Sequence, residues 1–194
     1  WEYWQSMNHA LAREVPDIVK RAFHKDVNWN GPQPINQIHG SNALIKNYLE
    51  PLRHSFPDIK YTADILMGGV DSDDDWVSGA GYLTVTFVHD WLGIPATGNK
   101  THIHFGQFFV MRDEKIVESY CILDILSVFK QAGFQVLPNA FGREGGKVQK
   151  PRGGDGIMLF EQDELEGRQS MQLVEAMWNG LGRYKRLRDG QDLD

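Results

Sequence analysis

The segment 93–133 constrains the fold of this chain more than any other part of the sequence. A turn rich in Gly and Pro leads into a predicted strand over 101–111, and a short charged turn leads into a second strand over 116–123. Strands joined by so short a turn pair antiparallel as a hairpin. Asp124 then begins an apolar segment of helical spacing, 125–132, which Gly133 ends. The segment therefore predicts an antiparallel hairpin followed directly by a short helix.

The residues before this hairpin predict helices first and strands afterwards. Helical spacing of apolar residues predicts a first helix over 1–11, a second from Pro16, and a third from Ser41 that Pro51 should kink or shorten. Strands are predicted over 27–29, 59–67 and 76–89. This order indicates an α+β fold with an antiparallel meander, and it is unlike the alternation of βαβ units.

Charge and composition exclude several classes of partner. The net charge is −6, so a nucleic acid would meet long-range repulsion. No apolar run approaches the roughly 20 residues that span a bilayer, so we expect no membrane partner. Cys121 is the single cysteine, which precludes an intrachain disulfide and fits a reducing, cytoplasmic location.

Three short motifs within 93–133 resemble one known family. They are the loop GIPATG at 93–98, the turn DEKIVE at 113–118, and Asp124 with the QAG at 131–133. This arrangement resembles the SnoaL-like polyketide cyclases of the nuclear transport factor 2-like superfamily, and the resemblance covers roughly residues 1–137. It implies a cone-shaped, curved antiparallel sheet wrapped around the N-terminal helices (a cystatin-like roll), with a ligand pocket inside.

The resemblance also implies a chemistry, from which this sequence departs at the reacting positions. The family's cyclases close a polyketide ring by intramolecular aldol chemistry without metal or cofactor. Their acid/base carboxylate stands three residues before the residue that matches Asp124, and that position is Cys121 here. The family's strand His and Gln positions are Gln107 and Phe105. A free thiol has a pKa near ~8.5 and acts as a base only if its thiolate is stabilised.

The candidate catalytic residues are therefore Cys121, Asp124 and Gln107, and each has a structural alternative. Cys121 is either a pocket thiol acting as base or nucleophile, or a small buried apolar residue. Asp124 is either a displaced acid/base or the N-cap of the following helix. Gln107 either donates a hydrogen bond in the pocket or belongs to a structural network. The candidate substrate-binding residues are Trp29, Phe105, Gln107, Ser119 and Cys121.

His102 and His104 share one face of a predicted strand, as metal ligands can. If Phe105 and Gln107 face the pocket, strict alternation turns both histidines away from it. A role on the outer sheet face or in a dimer interface is therefore favoured, and we expect no metal.

Two functions from different classes remain open. The chain is a small-molecule pocket protein that is either a cofactor-free cyclase or isomerase, acting by acid/base chemistry on a polyketide-like or other apolar substrate, or a non-catalytic ligand-binding or dimerisation domain. The expected partners are a small apolar molecule and a second copy of the chain in a homodimer.

The character of the sequence changes after the predicted domain at 1–137. Residues 138–160 are rich in Gly and charge, which predicts a linker. Residues 161–194 then predict a helical extension with an apolar face. That helix is either the start of a truncated second copy of the domain or an element that packs on a partner subunit.

Overall fold

The computed structural model describes residues 1–71, 74–138, 150–153 and 155–188. The chain forms two compact units, Trp1–Ile157 and Met158–Asp194. All the strands named below lie in the first unit, and the second contains a long helix. Most of the predicted linker, 139–149 and 154, lies outside the described residues.

The first unit is built on a curved six-stranded sheet, which confirms the predicted α+β class. The strands are β1 Phe23–Asn30, β2 Gln37–His39, β3 Lys60–Asp71, β4 Asp74–Thr86, β5 Lys100–Arg112 and β6 Lys115–Leu123. Their order across the sheet is β2-β1-β6-β5-β4-β3. All neighbouring pairs are antiparallel except β1 and β6, which are parallel, so the sheet is mixed where the resemblance implied an antiparallel one.

Short helices pack on one face of this sheet. They are α1 Glu2–His9, α2 Val15–Ala22, α3 Ser41–Leu44, α4 Glu50–Ser55 and α5 Ile125–Gln131. A π-helical turn, Ile45–Leu49, joins α3 to α4 without a break. Pro51 directly follows the π-helical turn, and the helical path continues to Ser55 instead of ending at the proline.

Alternation along the central hairpin separates an inner face from an outer face. On β6, Ser119 and Cys121 are buried, whereas Tyr120 and Ile122 between and beyond them are exposed. The inner face and the helices enclose one continuous apolar core. A pocket in the interior of this unit is therefore bounded by inward side chains of β5 and β6 and by the helices opposite them.

The residues of the family-like motif at the end of β6 anchor α5. The Asp124 carboxylate accepts a hydrogen bond from the Ser127 N–H at 2.9 Å and thereby caps α5. At the other end of the helix, the Gln131 amide binds the backbone of His102. Its oxygen accepts from the His102 N–H at 2.9 Å, and its nitrogen donates to the His102 carbonyl at 2.7 Å.

A returning segment meets the free side of β3, the last strand of the sheet. The Leu66 N–H donates to the Gly156 carbonyl at 2.7 Å, and Leu66 forms an isolated parallel bridge with Ile157. The second unit contains α6, Glu164–Arg188, whose large apolar side chains within its described part are exposed. Of the helices in the described ranges, none is both long enough and apolar enough to cross a membrane.

Candidate functional site

The register of the central hairpin sets the composition of the inner face. Gln107 of β5 stands opposite Cys121 of β6. On either side of this pair, Phe105 stands opposite Leu123, and Phe109 stands opposite Ser119. Because inward positions alternate, the hairpin presents one amide, one thiol and one hydroxyl among aromatic and aliphatic groups.

These residues border a closed cavity of about 10 Å³, which is room for roughly one water molecule. Four of the five predicted substrate-binding residues line it: Trp29, Phe105, Gln107 and Cys121. The remaining lining residues are Tyr3, Phe23, Leu44, Tyr48, Leu49, Tyr61, Leu83 and Leu123. The structure therefore brings the thiol and the amide together inside an otherwise apolar and aromatic enclosure.

Cys121, Tyr48 and Gln107 form a hydrogen-bonded group, here called the thiol cluster. Tyr48 and Gln107 each hydrogen-bond to the Cys121 sulfur. The Gln107 amide oxygen accepts a hydrogen bond from Trp4 Nε1 at 2.8 Å. The Tyr48 ring stacks on Trp29, with ring centroids 4.4 Å apart. Each polar member is thus oriented by a second contact.

Burial determines the protonation state of the thiol. It raises the pKa of Cys121 to about 12, and the hydrogen bonds from Tyr48 and Gln107 offset only part of that effect. With this pKa, the thiolate fraction at pH 7 is about one in 10⁵. Cys121 is therefore a neutral thiol, and it offers a hydrogen-bond donor to anything that enters the cavity.

The tyrosine hydroxyls around the thiol are neutral for the same reason. Burial raises the pKa of Tyr3, Tyr48 and Tyr61 above the ordinary value of 10.0. Each ionised tyrosine would also be repelled by an ionised Cys121, which raises these pKa values further. The ionisable groups that line the cavity thus hold their protons at neutral pH.

Asp124 lies apart from the cavity that contains Cys121 and Gln107. Besides capping α5, its carboxylate lies 3.9 Å from His104 Nδ1, and its side chain is 44% exposed. This carboxylate is therefore placed where it contacts solvent and the start of a helix, and it does not contact the thiol cluster.

Ser119 is fully buried but does not line the cavity. Its hydroxyl has no hydrogen-bond partner among the residues that the structure describes. His102 and His104 also lie outside the cavity; His102 packs edge-on against Tyr82. Within the described ranges, no group of three His, Cys, Asp or Glu side chains is arranged to hold a metal ion.

Sequence reasoning missed four contributors to this site: Tyr3, Trp4, Tyr48 and Tyr61. Trp4 and Tyr48 occupy apolar positions of helices, where the pattern predicts core packing and gives no sign of a polar tip aimed at a cavity. Only the juxtaposition of α1 and the π-helical turn with the hairpin shows that their polar atoms meet Gln107 and Cys121.

Comparison with known proteins places this architecture in a family. The sequence profile described as SnoaL-like polyketide cyclase matches residues 3–132, which is more than half of the chain. No curated protein matches the sequence.

Solved structures share the fold of the first unit. AclR of Streptomyces galilaeus, described as a candidate hydroxylase, is 20% identical with a TM-score of 0.57, covering 71% of this chain and 92% of its own. A candidate SnoaL-like polyketide cyclase from Jannaschia sp. CCS1 is 17% identical, with a TM-score of 0.54 and the same coverage of 71% and 92%. IdmH of Streptomyces antibioticus, a candidate polyketide cyclase, is 17% identical with a TM-score of 0.52, covering 68% and 93%. Fold, motifs and profile agree, and the chain belongs to the SnoaL-like polyketide cyclase family.

Proposed function

We propose that this chain binds a small, largely apolar molecule through an oxygen acceptor such as a carbonyl, and that it does so without turnover. The observation that supports this proposal is the protonated thiol cluster at the centre of an apolar enclosure. The Cys121 S–H is a free donor, whereas the Tyr48 O–H and the Gln107 amide N–H donate to the Cys121 sulfur unless a ligand oxygen competes for them. The Gln107 oxygen already accepts from Trp4, so the cluster favours an acceptor on the ligand.

Recovery of a bound molecule tests this proposal. The chain is purified from its producing cells without organic solvent, and mass spectrometry identifies what it carries. We expect an apolar compound with a carbonyl or similar oxygen. Tyr48→Phe deletes one donor and should weaken retention by about fivefold, because a buried hydrogen bond contributes roughly 1 kcal/mol.

Tyr82→Phe is the matched control, because Tyr82 lies outside the cavity and packs against His102. Equal retention by the Tyr48 and Tyr82 variants, or a purified protein that carries no small molecule, would contradict the proposal.

Family membership favours a second candidate, a cofactor-free cyclase or isomerase acting on a polyketide-like substrate. The donors of the thiol cluster would then stabilise the oxygen of an enolate in the transition state. Deprotonating Cys121 at pH 7 costs roughly 7 kcal/mol, five pKa units at 1.36 kcal/mol each, so the thiol is a poor base. If the thiol is nevertheless the base, Cys121→Ala abolishes turnover of a substrate once one is found; unchanged turnover removes it from the mechanism.

We further propose that two copies pair through the outer face of the sheet. Phe108 and Tyr120 are cross-strand neighbours there, 44% and 41% exposed, and Ile122 beside them is 63% exposed. Trp76 stacks on Tyr120 and extends this apolar patch, which a two-fold axis would bury against itself. Sedimentation equilibrium should show a dimer that Ile122→Glu dissociates and Leu11→Glu, at an exposed site outside the sheet, does not. A monomeric wild-type chain at tens of micromolar would exclude this pairing.

A further inference from the structure

Trp4 of α1 occupies the inner face of the sheet beside the thiol cluster. The side chain is 2% exposed, and its indole N–H donates to the Gln107 oxygen at 2.8 Å. The rings of Phe105 and Phe109 lie around it, with centroids 5.3 and 6.0 Å from the indole. The chain's own indole therefore fills an aromatic slot that ends on a hydrogen-bond acceptor.

The backbone of β4 forms the wall of this slot because it lacks a side chain there. A Cβ at Gly79 would lie 2.3 Å from Cη2 of Trp4, well inside the contact distance of two carbon atoms. Gly79 thus leaves space that an aromatic ring occupies. The slot accepts a flat bicyclic ring lying against the sheet, and Trp4 supplies one.

Besides the indole, the buried Met7 side chain and hydrogen bonds near the C-terminal end hold α1 in place. The Arg53 guanidinium donates to the carbonyls of Met7 at 2.6 Å and Ala10 at 3.1 Å, at the C-terminal end of the helix. The Asn8 amide pairs with the backbone of Tyr61, accepting at 2.6 Å and donating at 3.0 Å. The helix has eight residues and no side-chain N-cap, so it is not stable alone and persists only while docked.

Two cavities meet at α1. Tyr3, next to Trp4 in the chain, lines the closed cavity at Cys121 and also a groove of about 400 Å³. Trp4 and Phe109 line that groove as well. A volume of 400 Å³ lies within the range of small-molecule sites, whereas the closed cavity holds about one water. Tyr3 and Trp4 therefore separate the donors of the thiol cluster from the space that a ligand needs.

We propose that α1 is a removable plug and that Trp4 occupies the aromatic part of the ligand site until a ligand displaces it. This inference rests on the proposed function, because it takes the inner face as the ligand site. Displacing Trp4 joins the groove to the thiol cluster and frees the Gln107 oxygen, so that the amide then offers both a donor and an acceptor.

Rescue by free indole tests whether the slot is a binding site. Trp4→Ala should leave a cavity that indole fills, raising the melting temperature of that variant by several degrees. Indole should not shift the wild type or Trp178→Ala, a control whose exposed indole lies outside the groove. 1-Methylindole, which lacks the N–H, should rescue less. Equal shifts in Trp4→Ala and Trp178→Ala, or a shift in neither, would overturn the proposal.

Exchange of the indole N–H protons tests whether the plug moves, even if Trp4→Ala fails to fold. Trp4 and Trp29 are equally buried, at 2% and 1% exposed. If α1 opens by itself, the Trp4 N–H exchanges with deuterium at least about tenfold faster than the Trp29 N–H. Arg53→Met should widen that gap. Equal rates for both protons in the wild type would show that α1 leaves only on global unfolding, and would refute the plug.

The two proposals fail separately. If the chain carries no ligand but gives the expected results in the rescue and exchange tests, the proposed function is refuted and the plug proposal stands. A chain that retains a carbonyl compound but shows equal exchange rates refutes the plug alone.

Discussion

In two polar clusters of this fold, an acidic side chain lies beside hydrogen-bond donors. One of the two acids keeps its proton, and the other is ionised. In the thiol cluster, burial raises the pKa of Cys121 to about 12 despite the hydrogen bonds from Tyr48 and Gln107. At the surface, Asp58 accepts from the Thr86 N–H at 2.5 Å and from Lys100 Nζ at 2.5 Å, and its side chain is 42% exposed. Burial opposes ionisation there too, but these donors lower the pKa of Asp58 to about 2.

The difference shows that solvation, more than the number of hydrogen bonds, sets the charge of each cluster. A buried acid surrounded by neutral groups keeps its proton and acts as a donor, whereas a solvated acid beside an ammonium group ionises. The thiol cluster inside the sheet is therefore neutral, whereas Asp58 at the surface is charged.

Alkaline pH should affect the interior cluster most. Native Cys121 keeps its proton up to about pH 12, but the unfolded chain releases it above its ordinary pKa of 9.0. Stability from this group is therefore complete below pH 9 and is lost as the pH rises, by about 3 kcal/mol at pH 11. Urea unfolding at pH 8 to 11 measures the loss. The free energy of unfolding of Cys121→Ala should fall less over this pH range, because the variant has no thiol to ionise. If it falls as much as that of the wild type, the thiol is not buried as described.

Gln107→Leu should lower the free energy of unfolding by about 2 kcal/mol, because it leaves the buried Trp4 N–H without an acceptor. Gln37→Leu, at an exposed position of β2, is the control and should change stability by less than about 0.5 kcal/mol. Chemical denaturation compares the two. A loss of the same size in both variants would show that the hydrogen bond between Trp4 and Gln107 contributes no more to stability than an exposed glutamine does.

Ser119→Ala should stabilise the fold by up to about 1 kcal/mol, because it removes a buried hydroxyl that has no partner in the described part of the chain. The same denaturation experiment measures this gain. A loss above about 1 kcal/mol would indicate that the hydroxyl is hydrogen-bonded, for instance to a buried water.

Asp58→Asn should have the smallest effect, below about 1 kcal/mol at pH 7, since the ion pair with Lys100 is partly exposed. The pKa of Asp58 is lowered in the folded state, so its contribution is present above pH 4 and is lost as the pH falls towards 2. The stability difference from wild type should therefore shrink in acid. Asp26→Asn, which removes a carboxylate at an exposed site, is the control for the loss of a surface charge.

Local patterns in the sequence predicted the elements that are held by neighbours in the chain. The hairpin of β5 and β6 follows from alternation and a charged turn, and α5 begins after Asp124 as predicted. The strand predicted over 59–67 instead runs on to Asp71, because pairing with β4 outweighs the low strand propensity of Gly68 and Gly69.

The candidate site could be predicted only in part, because it depends on contacts between distant residues. Alternation put Phe105 and Gln107 on one face, and both line the cavity. No local pattern indicates that Trp4 bonds to Gln107, 103 positions away. The pairing of β1 beside β6 is equally non-local, and it brings Trp29 next to Ser119.

In concentrated solution, the amide of Gln131 keeps part of β5 from pairing with a strand of another chain. Beyond the end of β6, β5 has backbone groups that could template an incoming strand, and Gln131 occupies those of His102 as a peptide group would. Gly156 blocks Leu66 on the outermost strand in the same way. Glutamate at 131 could accept but not donate, so it would leave the His102 carbonyl open to pairing with another strand.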